Sequence, residues 1–432
     1  MALDLGSILD ATVDARAKGF PHAAPAMRLR DIGARRWNVL RGDLPFPVAL
    51  VRRSAMHHNS AWMRAFAHAT GVAIAPHGKT TMCPQIFARQ IEDGAWGMTV
   101  ANVHQLGICA GVGIRRVIIA NQVVARNDVA RLVDLMGAHR DLAVCFLVDS
   151  SAQLDRVVRA ARAHDAPRPL SALLEIGHAG GRTGVRSAAE ATSLARAIAQ
   201  SDVVQLVGIE CYEGLGITGD SERDERHVAS LVETVHAVAS ACDREGLFAQ
   251  GEVILSAGGS AVFDIVAREL PQRLSRPVRT ILRSGCYVTH DSGNYERLFE
   301  RVRARSGEPW KSGPGLEPAL EVWSQVQSRP EPELAILTMG RRDVSYDIEM
   351  PRPLKWFRED AHTAPRAAPA PWRIDRLNDQ HAYLRVPPDA DVQVGDLVGC
   401  GISHPCTTFD KWQLLMEVDD DYTVVEGLRT FF

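Results

Sequence analysis

The feature that most constrains this chain is a rhythm. Short apolar runs recur between residues 47 and 282, at 47–52, 72–75, 98–101, 117–120, 144–148, 172–176, 206–211, 253–256 and 280–282. Between most of them lie stretches with helical periodicity, such as 61–70, 83–93, 128–136 and 227–241. Apolar strands alternating with helices imply parallel pairing with both sheet faces covered. Of the nine strand candidates, eight suffice to close a TIM-type (β/α)8 barrel of about the usual ~250 residues. The period is not a sequence repeat, which excludes a solenoid.

The pattern changes near residue 300. Segment 306–318 is rich in Gly, Pro and charge and reads as a linker or insertion, and 351–371 is a Pro/Ala/Arg-rich insertion. Alternating runs at 334–338, 381–386 and 422–425, with a Gly395-Asp396 turn, read as a mostly β domain. The expected division is an N-terminal extension over 1–44, which chain order leaves free to join the β domain, a barrel over 45–298 and a β domain over 299–432.

Composition narrows the function classes. Of the 432 residues, 49 are Lys or Arg and 52 are Asp or Glu, a formal net charge of -3, so no broad cationic field invites nucleic acid. Eight cysteines are too sparse for a disulfide scaffold and read as buried thiols. The N-terminus lacks a basic n-region before an apolar run, and no apolar stretch is long enough to span a bilayer, so a cytoplasmic protein without a membrane partner is expected.

Candidate chemistry lies where strands end. The strand at 72–75 leads into Pro76-His77-Gly78-Lys79-Thr80, and in a barrel that end faces the active site. A lysine there would be partly desolvated, which suits Schiff-base chemistry. A loop lysine reaching solvent would read the same. Glu175 to Gly184 sets glycines and Arg182 after another strand, either an oxyanion site or a loop with a surface arginine. Ser256-Ala-Gly-Gly-Ser260 and Arg283-Ser-Gly-Cys-Tyr287 follow two successive strands, where a barrel commonly builds a phosphate site. In the second domain, His404 and Cys406 would share a face of extended chain and offer N and S donors that suit Zn²⁺. A buried His and Cys beside a turn would look alike.

Together these motifs resemble the D-serine dehydratase and D-threonine aldolase family of fold type III pyridoxal phosphate enzymes, which carry an alanine-racemase-like barrel and a β domain. The resemblance covers about residues 45–295 and 334–420. Pro76 to Thr80 is similar to the family's lysine motif, Glu175 to Val185 to its acidic-strand, glycine and arginine motif, and Tyr212-Glu213-Gly214 to its Tyr-Glu-Gly. Arg283 to Asp291 is similar to its Arg-Pro-Gly-x-Tyr segment, with Ser284 in place of Pro, and His404-x-Cys406-Thr-Thr408 is similar to its metal motif.

The resemblance implies pyridoxal 5'-phosphate held covalently by Lys79, with Arg182 near its phenolic oxygen and Tyr212 beside its ring. It implies a phosphate cradle of Gly258, Gly259, Ser260, Gly285 and Cys286, with His77, Ser256 and Tyr287 counted among the cofactor-binding residues. His404 and Cys406 would bind Zn²⁺, ahead of Mn²⁺, near the substrate's β-hydroxyl. His-x-Cys is similar to the dehydratase branch, so the expected reaction is D-serine to pyruvate and ammonia, with Lys79 as the catalytic base. The aldolase branch, giving glycine and an aldehyde, is the alternative. A racemase lacks a convincing second base here, and a non-catalytic cofactor carrier would lack the second domain. The family's barrels pair, so a homodimer is expected. D-serine, D-threonine and 3-hydroxyaspartate remain open as substrates.

Overall fold

The computed structural model describes residues 3–432. Eight strands form one parallel sheet in the order Ala73–Ile74, Val278–Leu282, Val253–Ala257, Val204–Cys211, Leu170–Ile176, Ala143–Val148, Arg116–Gln122 and Met98–Val100. The sheet curls until its edges meet. Trp96 N–H donates to Ile74 O at 2.8 Å, Thr99 N–H donates to Pro76 O at 2.9 Å, and His77 bridges Thr99 in parallel. Ala75, Ile118, Cys145, Leu147, Leu173 and Ile281 fill the interior as a core of their own, so the barrel is packed rather than hollow.

Local signals explain where the outer helices start and stop. Ser187 caps Ala188–Ala199 by accepting from Glu190 N–H at 3.3 Å, and its hydroxyl meets the Glu190 carboxyl at 2.9 Å. Asp220 caps Ser221–Arg244 in the same way, and Pro84 opens Pro84–Glu92, where its missing N–H costs nothing. Arg53–Thr70 ends at Gly71, whose φ of 69° is left-handed.

The ninth strand candidate is Val48–Arg52, and it does not enter the barrel. It lies between Leu320–Glu331, antiparallel, and Leu414–Val418, parallel, in the second sheet. The expected barrel boundary at residue 45 therefore moves beyond Arg52. A strand buried on both faces looks the same in either sheet, so periodicity could not place it. The expected boundary at 298–299 is also corrected, because helix Asn294–Arg305 runs through it and packs Phe299 against Trp62 at 5.2 Å.

The second domain is an antiparallel sheet around the long strand Leu320–Glu331. Segment 351–371, expected as an insertion, supplies strand Arg352–Phe357, which pairs with Leu397–Gly401. Pro353 is tolerated there beside an irregularity in register. Segment 306–318 is a strap on the barrel: Trp310 packs on Trp62 at 5.0 Å, and Trp62 Nε1 donates to Pro314 O at 3.0 Å. Residues 3–44 lie mainly on the β domain. Val39 N–H donates to Tyr422 O at 3.1 Å, and Gly33 approaches Val425 O so closely that a Cβ would stand 2.1 Å from it. Among the described residues no helix is long and apolar enough to cross a membrane, and all eight cysteines are free.

Candidate active site

Lys79 is the middle residue of a 3-10 turn, Gly78–Thr80, at the C-terminal end of the first barrel strand. Its side chain is exposed, which corrects the expected desolvation: the turn lifts it off the strand. His77 is held by its backbone, donating to Arg283 O at 3.1 Å. Its Nδ1 is buried without a hydrogen-bond partner among the described residues. Burial, with Lys79 and Arg283 beside it, keeps this ring well below the usual histidine pKa and therefore neutral. A neutral imidazole with an unsatisfied buried nitrogen is a ready contact for a ligand.

One glycine turn meets this lysine turn, and a second packs on the strand end beside it. A Cβ on Gly285 would stand 2.4 Å from His77 O and 2.8 Å from Thr80 Oγ1, so only glycine allows the close approach. Gly258 has φ +136°, and a Cβ there would strike Arg283 N at 2.6 Å. Backbone donation to phosphate was expected from Gly258 and Gly259, yet both amides are engaged: the Glu213 carboxyl accepts from Gly258 N–H at 3.2 Å and from Gly259 N–H at 2.5 Å. Glu213 is 1% exposed. Ser260 is free of this clamp and lines a cavity of about 330 Å³ with Tyr212, Gly259, Tyr295, Arg297 and Arg301.

Two expected cofactor contacts face elsewhere. Ser256 Oγ donates to Ile281 O at 3.0 Å and accepts from Arg283 Nη1 at 2.7 Å, so its hydroxyl is spent inside the barrel. Tyr287 hydroxyl accepts from Gln90 Nε2 at 3.1 Å, on the barrel's outer helix. Both corrections have one cause: a motif gives the order of residues but not the direction of side chains in a turn.

Beneath the mouth lies a polar layer. Glu175 and Glu210 are partners on adjacent strands, and Ser256 is the partner of Glu210 on the next. Arg283 Nη2 lies 2.7 Å from Glu210 Oε2, and both residues are buried. The arginine alone would lower this carboxyl, but burial outweighs it, and Glu175 and Glu213 add to the rise, so Glu210 is pushed up to about 8. Burial raises Glu175 too, against hydrogen bonds from Thr183 and Gln122. Above this layer the Arg182 guanidinium lies 5.2 Å from the centre of the half-buried Tyr212 ring.

The expected metal pair comes from the other domain. Cys406 does not continue an extended chain; it opens a short helix, Cys406–Phe409, after a helical Pro405. The extended-chain reason for pairing it with His404 is therefore replaced by a turn. Cys406 Sγ lies 3.6 Å from Thr80 Oγ1 and 3.8 Å from Cys286 Sγ. The fold thus carries the His-x-Cys segment to the residue after Lys79. His404 Nδ1 is 2.6 Å from Asp347 Oδ2, and Asp347 Oδ1 accepts from Thr407 Oγ1 at 2.8 Å. Burial opposes charging of His404, but Cys406 and Asp347 beside it carry its pKa up to about 9. Cys286, then His404 and Thr80, hold the Cys406 thiol well below its ordinary value against its burial.

Sequence reasoning missed Asp347, Tyr295 and the anchoring role of Glu213. Asp347 precedes His404 by 57 residues, in no pattern that spacing reveals. Glu213 was visible inside Tyr-Glu-Gly but carried no sign of what it would hold.

Residues 319–418 match the family model described as "Putative serine dehydratase domain". D-threonine aldolase of Arthrobacter sp is 27% identical over 368 residues, covering 85% of this chain and 86% of that protein. Over most of its length the chain is thus similar to a D-threonine aldolase, and its second domain matches the serine dehydratase family model. Two solved structures share the same architecture. D-threonine aldolase from Filomicrobium marinum superposes with a TM-score of 0.73 at 24% identity, over 90% of this chain and 95% of that one. D-threo-3-hydroxyaspartate dehydratase from Delftia sp. HT23 superposes with a TM-score of 0.69 at 20% identity, over 91% and 99%.

The residues present fit pyridoxal phosphate, the cofactor that the resemblance implies. A cavity of ligand size opens at the strand ends, the Gly258 and Gly285 turns would be filled by any Cβ, and His77 Nδ1 is left unpaired. The donor set of His404 and Cys406 also fits a metal. A carboxyl group holding one imidazole nitrogen is the usual support of a metal-binding histidine, and it leaves Nε2 as the ligand atom.

Proposed function

We propose that this protein is a pyridoxal-phosphate- and zinc-dependent lyase of 3-hydroxy D-amino acids that removes water from D-serine, giving pyruvate and ammonia. The observation that carries this reading is the meeting of two domains at one point. Cys406, two residues from His404, lies 3.6 Å from the hydroxyl of Thr80, the neighbour of Lys79. A lysine turn that meets a soft pair of potential metal donors suits a reaction that takes a proton from Cα and removes an oxygen from Cβ.

Pyridoxal phosphate, when bound, supplies an electron sink for charge developing at Cα. Zinc, when bound to His404 and Cys406, supplies a Lewis acid for the departing hydroxyl. The chain's own residues do the rest. Lys79 Nζ, exposed at the barrel mouth, moves the Cα proton. Asp347 fixes the His404 ring through Nδ1. Glu213 holds the Gly258–Gly259 turn rigid, and Ser260, with Arg301 across the cavity, offers donors to phosphate oxygens. His77 and Tyr212 supply the neutral ring and the half-buried phenol that flank the cofactor.

A second reading has its own support. The Arthrobacter relative is an aldolase across most of both chains, which favours retro-aldol cleavage to glycine and an aldehyde. Incubating the cofactor- and zinc-loaded protein with D-serine separates the two. Pyruvate with ammonia is expected. Glycine with formaldehyde would give the site to the aldolase reading. A homodimer working in the cytoplasm completes the proposal; exposed Tyr346, Ile348 and Met350 beside Asp347 are apolar surface that a second copy would cover, and light scattering at twice the 47.2 kDa chain mass is the expected result.

A further inference from the structure

We propose that Cys286 is a third protein ligand of the metal held by His404 and Cys406, so that a single ion ties the barrel to the β domain. This rests on the reading above that His404 and Cys406 bind zinc. Cys286 entered the sequence reading through its backbone, as part of a phosphate cradle. Its side chain faces the other domain. The turn Cys286–Val288, just past the strand Val278–Leu282, presents a thiol that is 5% exposed and lies 3.8 Å from Cys406 Sγ.

That spacing carries the argument. Two sulfurs on one tetrahedral zinc, each with a bond of about 2.3 Å, stand about 3.8 Å apart. The two thiols come from separate domains, 120 residues apart in the chain, and already stand at the edge length of such a site. His404 is independently prepared as a ligand, because Asp347 takes its Nδ1. Thr80 Oγ1 touches both sulfurs, at 3.6 and 3.8 Å, and borders the lysine turn. Among the described residues no three His, Cys, Asp or Glu side chains are yet set round one point, so binding requires the His404 imidazole, together with the Asp347 carboxyl that holds its Nδ1, to close on the sulfur pair.

Two thiolates and one imidazole form a softer set than His404 and Cys406 alone. The set selects zinc over manganese more strongly and leaves a fourth position for the substrate oxygen.

The test is X-ray absorption at the zinc edge of the pyridoxal-phosphate-loaded protein, with zinc affinity measured by competition against a chelator. Two sulfur scatterers per zinc are expected for the unaltered chain. Cys286→Ser and Cys286→Ala should each show one sulfur and bind zinc at least ~10-fold more weakly. Cys406→Ala should lose the ion. One sulfur in the unaltered chain, or unchanged affinity in both Cys286 variants, overturns the third ligand and leaves His404 and Cys406 standing. Failure of the unaltered chain to bind zinc overturns both readings. Should either Cys286 variant fail to fold, the sulfur count of the unaltered chain decides alone.

Discussion

Lys79 sits in a turn with no packing role. Its side chain is exposed, so replacing it removes chemistry without opening a cavity. Lys79→Ala should fold as well as the unaltered chain yet release pyruvate at least ~10³-fold more slowly, measured by coupled assay. It should also lose the near-visible absorption band of covalently held pyridoxal phosphate. Buried histidine gives a second prediction at this scale. His290 is 3% exposed, and its φ of 48° is one that Asn also tolerates. Burial pushes its pKa down to about 4, below the ordinary value of 6.5. Between those values the unfolded chain takes up a proton that the native chain refuses. Stability from this residue is therefore complete above pH 6.5 and is lost as pH falls toward 4, by about 3 kcal/mol. In urea unfolding, His290→Asn should gain on the unaltered protein by about that much between pH 7 and pH 4.

Elements decide how well the glycine turns are held. The turn after Val253–Ala257 would be loose if its geometry rested on glycine alone. Glu213, at the end of the neighbouring strand, accepts from two of its amides and pins it. Glu213→Ala leaves Gly258 N–H and Gly259 N–H without that partner. The variant should be about 2 kcal/mol less stable in urea unfolding. It should also bind pyridoxal phosphate more weakly in a spectroscopic titration, because the turn that borders Ser260 then moves. Both the Tyr-Glu-Gly and the Gly-Gly motif are legible in the sequence. Their mutual hydrogen bonds are not, because they join side chain to backbone across 45 residues.

At the scale of the whole molecule, the proposed function depends on the two domains keeping their relative position. One buried ion network helps hold it. Glu417, 0% exposed on the strand Leu414–Val418, accepts from Arg53 Nη2 at 2.8 Å and from Arg89 Nη2 at 2.9 Å. Arg89 lies on helix Pro84–Glu92 of the barrel and also bonds Glu426 at 2.6 Å. Arg89→Ala leaves a buried carboxylate with half of its partners and should cost about 3 kcal/mol, read by urea unfolding. Zinc affinity should fall with it, since His404 and Cys406 then stand less firmly over Thr80.

The sequence by itself determined the barrel, the β domain and which motifs stand at the strand ends. Apolar period and glycine placement are local properties, and eight of the nine strand candidates follow from them. Lys79, Tyr212 and the His404–Cys406 segment were legible because their neighbours in the chain form compact motifs. Tertiary structure decided the rest. It sent Val48–Arg52 to the β sheet, because a strand buried on both faces has no signature of which sheet buries it. It turned Ser256 and Tyr287 away from the mouth, since side-chain direction in a turn follows from packing. It also brought Asp347 to His404 and Cys286 to Cys406, contacts between segments 57 and 120 residues apart that no local pattern encodes.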